Sequence, residues 1–171
     1  MSIQTLATEG DYALVERTMQ IAAQLNFVCK IYEHQDYKSG KTSDEAAATL
    51  GQEKSKIIKC LFLKDKSGRS YGTILRGCDS LEFKSLATEL GTSKSQLRFA
   101  TPEEIENDTG YKLGGLPVTA FKEKGVPTFV DENVIKEGTT TGSGGTEYHA
   151  MEFDATQLLS TLGYKISKLA R

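Results

Sequence analysis

The chain is poor in the residues that build metal centres and disulfide frameworks. Its 171 residues include 3 cysteines and 2 histidines. Cys29, Cys60 and Cys78 form no C-x-x-C pair and, being odd in number, cannot all bridge. His34 and His149 lie far apart, so no zinc site of ordinary spacing can be drawn, and no metal or other cofactor is expected. Odd, scattered cysteines suit a reducing compartment, and a cytoplasmic location is expected. Met1–Gly10 lacks the basic and apolar regions of a secretion signal. No apolar run approaches the roughly 18 residues that a membrane span needs, so no membrane partner is expected. Charge of one sign is not in excess: 21 basic against 23 acidic residues leave a net charge of −2. That excludes a grip on nucleic acid by bulk charge and leaves room only for a local basic stripe. No G-x-S-x-G elbow is present, and no Ser/His/Asp set can be assembled from spacing.

What is present is the composition of a single globular domain, with 38% hydrophobic and 26% charged residues. Leu14, Val15, Thr18, Ile21, Ala22 and Leu25 recur at helical spacing and predict a helix over Asp11–Asn26. Phe27, Cys29 and Ile31 share one parity and predict a strand over Phe27–Tyr32. Thr42 and Glu45 read as a capping box for a helix ending at Gly51. Ile57–Lys64 is apolar on both parities, the mark of a strand covered on both faces, and Ser70–Arg76 can pair back on it after a turn. Leu81–Leu90 predicts a short helix and Gln96–Ala100 a strand. Thr101-Pro102-Glu103-Glu104 is a helix start. Thr109–Phe121 reads as a loop, Pro127–Val130 as a strand, Thr139–Gly145 as a glycine-rich loop and Tyr148–Phe153 as the strand leaving it. Asp154 can cap a last helix, Ala155–Leu162. The basic tail, residues 164–171, reads as weakly structured, the start of a linker or a loose end. The expected architecture is one α+β (mixed α/β) domain over residues 1–171, with a curved, mainly antiparallel sheet flanked by helices.

Lys59 is the residue most informative about chemistry. In a strand it shares a face with Ile57, Leu61 and Leu63, while Cys60 takes the other face. Desolvating an ammonium is costly. The side chain must therefore snorkel to water, pair with a buried carboxylate, or face a cleft that receives an anionic ligand. Gly114-Gly115 with Pro117 close behind is either an ordinary reverse turn or a backbone cradle for a carbonyl oxygen. Gly142-Ser143-Gly144-Gly145-Thr146 lacks a Walker lysine and reads as a hairpin loop or a phosphate cradle. His149, on the strand leaving it, is a packing residue or a base. Lys54, Lys56, Lys59, Lys64, Lys66 and Arg69 with a single acid, Asp65, form either a solvated face or a backbone-contact surface.

The ordered set of these pieces resembles the editing-domain family of bacterial prolyl-tRNA synthetases and their free-standing YbaK-like relatives. The resemblance runs from about Val28 to Leu162. It takes in Glu33-His34, Thr42–Ala47, Leu50-Gly51, Ile58-Lys59-Cys60-Leu61-Phe62-Leu63 and Pro102-Glu103-Glu104. It continues with Thr109-Gly110-Tyr111, Gly114-Gly115-Leu116-Pro117, Phe129-Val130-Asp131-Glu132, the glycine-rich loop and Glu152-Phe153.

The resemblance implies an editing-domain fold and hydrolysis of mischarged aminoacyl-tRNA(Pro), bearing Ala or Cys, assisted by a water and the substrate's own hydroxyl without metal. It implies that Lys59 holds the 3′ end and that Gly114 and Gly115 place backbone groups at the ester carbonyl. Cys60, Leu116, Pro117, Val118, Gly144, Gly145 and His149 would surround the substrate, with Lys54, Lys56, Lys64 and Arg69 against the tRNA acceptor end. The partner implied is prolyl-tRNA synthetase, in trans or as a fused body. A non-catalytic tRNA-binding or assembly module is the alternative. Two positions depart from the pattern. The family loop reads Gly-x-x-x-Pro, but the last position counted from Gly114 is Val118. Cys60 stands where an Ala-editing subgroup has asparagine and a Cys-editing subgroup a small hydroxyl residue. Which of Ala, Cys or Ser is removed stays open.

Overall fold

A computed structural model describes residues 7–34, 47 and 50–171. The first helix, α1 (Glu9–Gln24), starts two residues ahead of the expected position because Thr8 and Asp11 close a reciprocal capping box. Asn26 then turns the chain with a φ of 57° into strand β1 (Cys29–Glu33). The Thr42 cap lies outside the described residues, although Ala47 and Leu50 are helical and Gly51 has the left-handed φ of a helix end.

Strands β2 (Ile58–Asp65) and β3 (Ser70–Arg76) form the expected hairpin, in register Ile58↔Arg76 through Lys64↔Ser70. Helix α2 (Phe83–Leu90) ends at Gly91, and β4 (Leu97–Phe99) pairs with the far end of β2. Helix α3 (Pro102–Thr109) carries the expected cap: Thr101 Oγ1 accepts the Glu104 N–H at 3.2 Å, and Glu104 Oε1 accepts the Thr101 N–H at 3.0 Å. Two further short helices were not legible in the sequence, α4 (Thr119–Glu123) and α5 (Glu132–Lys136). They flank β5 (Thr128–Asp131).

The glycine-rich segment differs from the expected loop. Thr139–Ser143 is a strand, β6, paired antiparallel with β7 (His149–Asp154). The last helix, α6, is a single turn at Gln157–Ser160. The tail is likewise ordered rather than weakly structured. Lys165–Ser167 is β8, parallel to β5, and Leu169 is fully buried. One buried carboxylate does much of this: Asp131 Oδ1 accepts the N–H groups of Leu169 at 2.8 Å and Ala170 at 2.9 Å.

The α+β class is as expected, but the strands divide into two sheets. One has the order β1-β7-β6 and is antiparallel; the other is mixed, in the order β4-β2-β3-β5-β8. The larger sheet is covered on both faces, which is why β2 is apolar on both parities. Ile58, Phe62 and Ile74 pack with Ile105, Phe121 and Met151 on one side. Leu63 and Leu75 pack with Leu81, Leu86, Phe129 and Leu169 on the other. Each fully buried leucine contributes about 1.5–3 kcal/mol relative to exposure.

Candidate active site

Strand β2 is incompletely paired, and the site lies at the gap. On its β4 side, pairing begins only at Leu63, helped by the Ala100 N–H to Phe62 C=O bond at 2.8 Å. At the other end Ile57, just ahead of β2, bridges Thr141 of β6. Between these two contacts the edge opens onto a cavity of about 340 Å³. Main-chain groups alternate along a strand, so Cys60, two residues from Phe62, directs its N–H and C=O to that open edge. Ile58, Lys59, Cys60 and Leu61 supply one wall. Leu113, Gly114 and Leu116 supply a second; Gly142, Ser143, His149 and Ala150 a third; Ile105 of α3 closes one side. Because the cavity meets β2 edge-on, Lys59 and Cys60 both reach it despite pointing to opposite faces.

Lys59 is half-buried, and its ammonium donates a hydrogen bond to the main-chain carbonyl of Asp79. No carboxylate among the described residues forms an ion pair with it. Burial draws its pKa below the ordinary lysine value, against the opposing effects of Asp79 and Cys78, while Lys54 adds to the lowering. The Cys60 thiol is pushed up to about 12 by burial, so it remains a protonated wall group.

The two glycine segments meet each other. Lys112–Gly115 is a tight turn closed by the Gly115 N–H to Lys112 C=O bond at 2.9 Å, and Gly114 takes a φ of 89°. A Cβ on Gly115 would lie 2.9 Å from the Gly145 carbonyl oxygen, so the backbones touch only because that side chain is absent. Ser143 Oγ lies 3.1 Å from the Gly114 C=O and 3.2 Å from the Thr146 C=O, tying turn and loop together through one proton. Pro117, Val118, Gly115, Gly144 and Gly145 are buried behind the wall, whereas Gly114, Leu116, Cys60 and His149 border the cavity.

His149 belongs to a chain of side chains that sequence reasoning missed. Its Nδ1 lies 2.7 Å from Thr146 Oγ1 and its Nε2 3.5 Å from Glu33 Oε1, which also accepts the Tyr12 hydroxyl at 2.5 Å. Burial holds the imidazole below its ordinary pKa, outweighing the Glu33 and Asp11 carboxylates. Thr146 thus holds one ring nitrogen, and the other faces the Glu33 carboxylate across 3.5 Å in the cavity wall. Thr146 lies only three residues from His149, but Glu33 meets the ring because β1 pairs with β7 in the register Glu33↔His149, which no periodic signal reveals.

The basic stretch divides in two. Lys54 and Lys56 sit on a 3₁₀ turn leading into β2, where Lys56 Nζ donates to the Glu137 C=O at 2.8 Å. Lys64 and Arg69 lie towards the hairpin tip and border a second, open groove, with Lys64 bonded to Asp108 at 2.5 Å. Lys54 and Arg69 are exposed. No group of three or more His, Cys, Asp or Glu side chains that could hold a metal occurs among the described residues.

Comparison with known proteins follows the same lines. The model of the aminoacyl-tRNA editing domain matches residues 38–161. A curated relative from Enterococcus faecalis, "Putative Cys-tRNA(Pro)/Cys-tRNA(Cys) deacylase EbsC", is 25% identical over 142 residues, covering 83% of this chain and 85% of that protein. The crystal structure of "a putative trans-editing enzyme for prolyl tRNA synthetase" is similar with a TM-score of 0.79 at 26% identity, covering 92% of this chain and 96% of the other. The hypothetical protein APE2540 gives a TM-score of 0.79 at 26% identity, over 91% and 99% of the two chains.

Proposed function

The chain belongs to the aminoacyl-tRNA editing domain family, and from that premise we propose that it hydrolyses the ester of mischarged tRNA(Pro), releasing Ala or Cys. One juxtaposition carries the reading: Lys59 and the Gly114 turn border the same cavity. An ammonium has three N–H donors, and the Asp79 carbonyl takes one. The others hold oxygens of the terminal ribonucleotide. The turn's own bond uses the Gly115 N–H. The Gly114 N–H is therefore the donor that polarises the ester carbonyl, and Gly115 serves by letting the two loops touch.

In the reaction a water, oriented by the substrate's free ribose hydroxyl, adds to the carbonyl carbon. The bond from that carbon to the ribose oxygen breaks, and the departing oxygen takes a proton. An activated ester needs positioning and a polarised carbonyl more than a protein nucleophile, consistent with a protonated Cys60. The substrate side chain rests among Cys60, Leu116 and His149, backed by Pro117, Val118, Gly144 and Gly145. The relative named as a Cys-tRNA(Pro) deacylase favours Cys.

With a net charge of −2 the domain grips tRNA weakly alone. Lys54, Lys56, Lys64 and Arg69 touch the acceptor end. Prolyl-tRNA synthetase, acting in trans or as a fused body, supplies the remaining affinity in the cytoplasm.

The test is release of amino acid from Ala-, Cys- and Ser-tRNA(Pro), with and without the synthetase. Turnover of at least one is expected; none in any combination removes the reading. Val118 at the family's proline position favours a second reading, a tRNA-binding module without turnover. Filter binding that shows affinity for charged tRNA while the ester survives would establish it.

A further inference from the structure

Lys59 is kept unneutralised by an arrangement that the reaction scheme does not use. Its ammonium faces Asp79, yet meets the main-chain carbonyl rather than the carboxylate. The carboxylate is held elsewhere. Arg76, the last residue of β3, donates from Nε to Asp79 Oδ2 at 2.9 Å and from Nη2 to Asp79 Oδ1 at 3.2 Å. Its third arm, Nη1, donates to Glu137 Oε1 at 2.9 Å. Glu137 follows α5, and its main-chain carbonyl also takes the Lys56 amine. The planar guanidinium is thus spanned between two carboxylates and tied back to the entrance of β2.

Two carboxylate oxygens gripped by two parallel donors form a directional pair that a point-charge ammonium cannot easily displace. Ile58 pairs across the ladder with Arg76, so the guanidinium originates one register position from Lys59. Removing it would free the Asp79 carboxylate from its two guanidinium donors while the Lys59 ammonium stays bonded to the main-chain carbonyl of the same residue. An ion pair there would neutralise the charge that the ligand needs.

We propose that Arg76 is a positioning residue for Lys59: by sequestering the Asp79 carboxylate it leaves only a neutral carbonyl to the ammonium, whose charge remains available to an anionic or hydroxyl-rich ligand. The inference rests on the deacylase reading for its ligand, but its geometry concerns the protein alone.

Two readouts on wild type, Arg76→Met and the double variant Arg76→Met/Asp79→Asn test it. The first is kcat/KM for deacylation. The second is the rate at which the Lys59 amine is labelled by a limiting acylating reagent, followed by peptide mass spectrometry and requiring no turnover. Arg76→Met should lower both rates about tenfold or more. The double variant should restore both to within about threefold of wild type, because the competing carboxylate is gone. Matched thermal unfolding midpoints confirm that all three proteins are folded, and Arg76→Gln replaces Arg76→Met in both variants should Met fail to fold. A double variant as impaired as the single one, or labelling unchanged by the single variant, overturns the proposal. Labelling that follows the expected order in a protein without turnover removes the deacylase reading and leaves the positioning role standing.

Discussion

Lys59, Cys60 and His149 share one cavity, and burial acts on each with a different consequence. For Cys60 it raises the thiol to about 12, so iodoacetamide at pH 8 should alkylate exposed Cys78 and spare Cys60 in the folded protein, as read by mass spectrometry. Prompt labelling of Cys60 would show a more open cavity. For His149 burial lowers the pKa. The unfolded chain then takes up a proton below pH ~6.5 that the native ring does not. Stability must therefore fall as pH drops from about 6.5 through the depressed native value. Urea midpoints at pH 7.5 and 5.5 should differ less in His149→Gln than in wild type; equal differences would show that the ring contributes nothing. For Lys59 burial lowers the pKa against the opposing effects of Asp79 and Cys78, so its charge is lost earlier than in free lysine as pH rises.

Elements with tertiary causes escaped the sequence, while periodic or capped ones did not. Strand β2 was legible because Ile58, Cys60 and Phe62 alternate with Lys59, Leu61 and Leu63, and helix α3 because Thr101 and Pro102 mark its start. Helices α4 and α5, five residues each, are too short to show a period. Strand β6 read as a loop because Gly142 and Ser143 at its end, with Gly144 just after it, lack strand propensity. Its pairing is dictated by β7, and a Cβ on Gly142 would strike Ile58 Cδ1 at 2.9 Å. Of the site, Lys59 and Gly114 were visible as residues out of keeping with their surroundings. The Arg76–Asp79 pair and the Glu33–His149–Thr146 chain were not, because no period marks a turn pair three residues apart and only the β1–β7 ladder brings Glu33 opposite His149. At this scale the contact between the two glycine segments is testable. Gly115→Ala should cost about 1–3 kcal/mol by forcing them apart, seen in urea unfolding, and should slow deacylation. A variant as stable and active as wild type would mean that the segments yield freely.

Across the whole molecule, the C-terminal segment completes the larger sheet and one of its two cores. β8 pairs with β5, Leu169 enters the core facing α2, and Asp131 receives two main-chain N–H groups from that segment and the Asn133 N–H at 3.1 Å from its own helix start. Asp131→Ala strands three donors, two of them on the final segment. It should cost about 2–4 kcal/mol, measured by chemical denaturation; a loss below about 0.5 kcal/mol would show the segment to be dispensable. The two sheets meet at the open edge of β2, so the cavity is a product of the domain's overall assembly.

The central claim is that a lysine ammonium held by a carbonyl at this edge binds the terminal ribonucleotide of a mischarged tRNA. Single-turnover release of cysteine from Cys-tRNA(Pro), and of alanine from Ala-tRNA(Pro), by wild type and Lys59→Ala tests it most directly. The variant should retain its fold, since losing a half-buried charge need not destabilise, and should be slower by about 100-fold or more on the substrate that wild type clears. A folded Lys59→Ala protein that releases amino acid as fast as wild type would contradict the account.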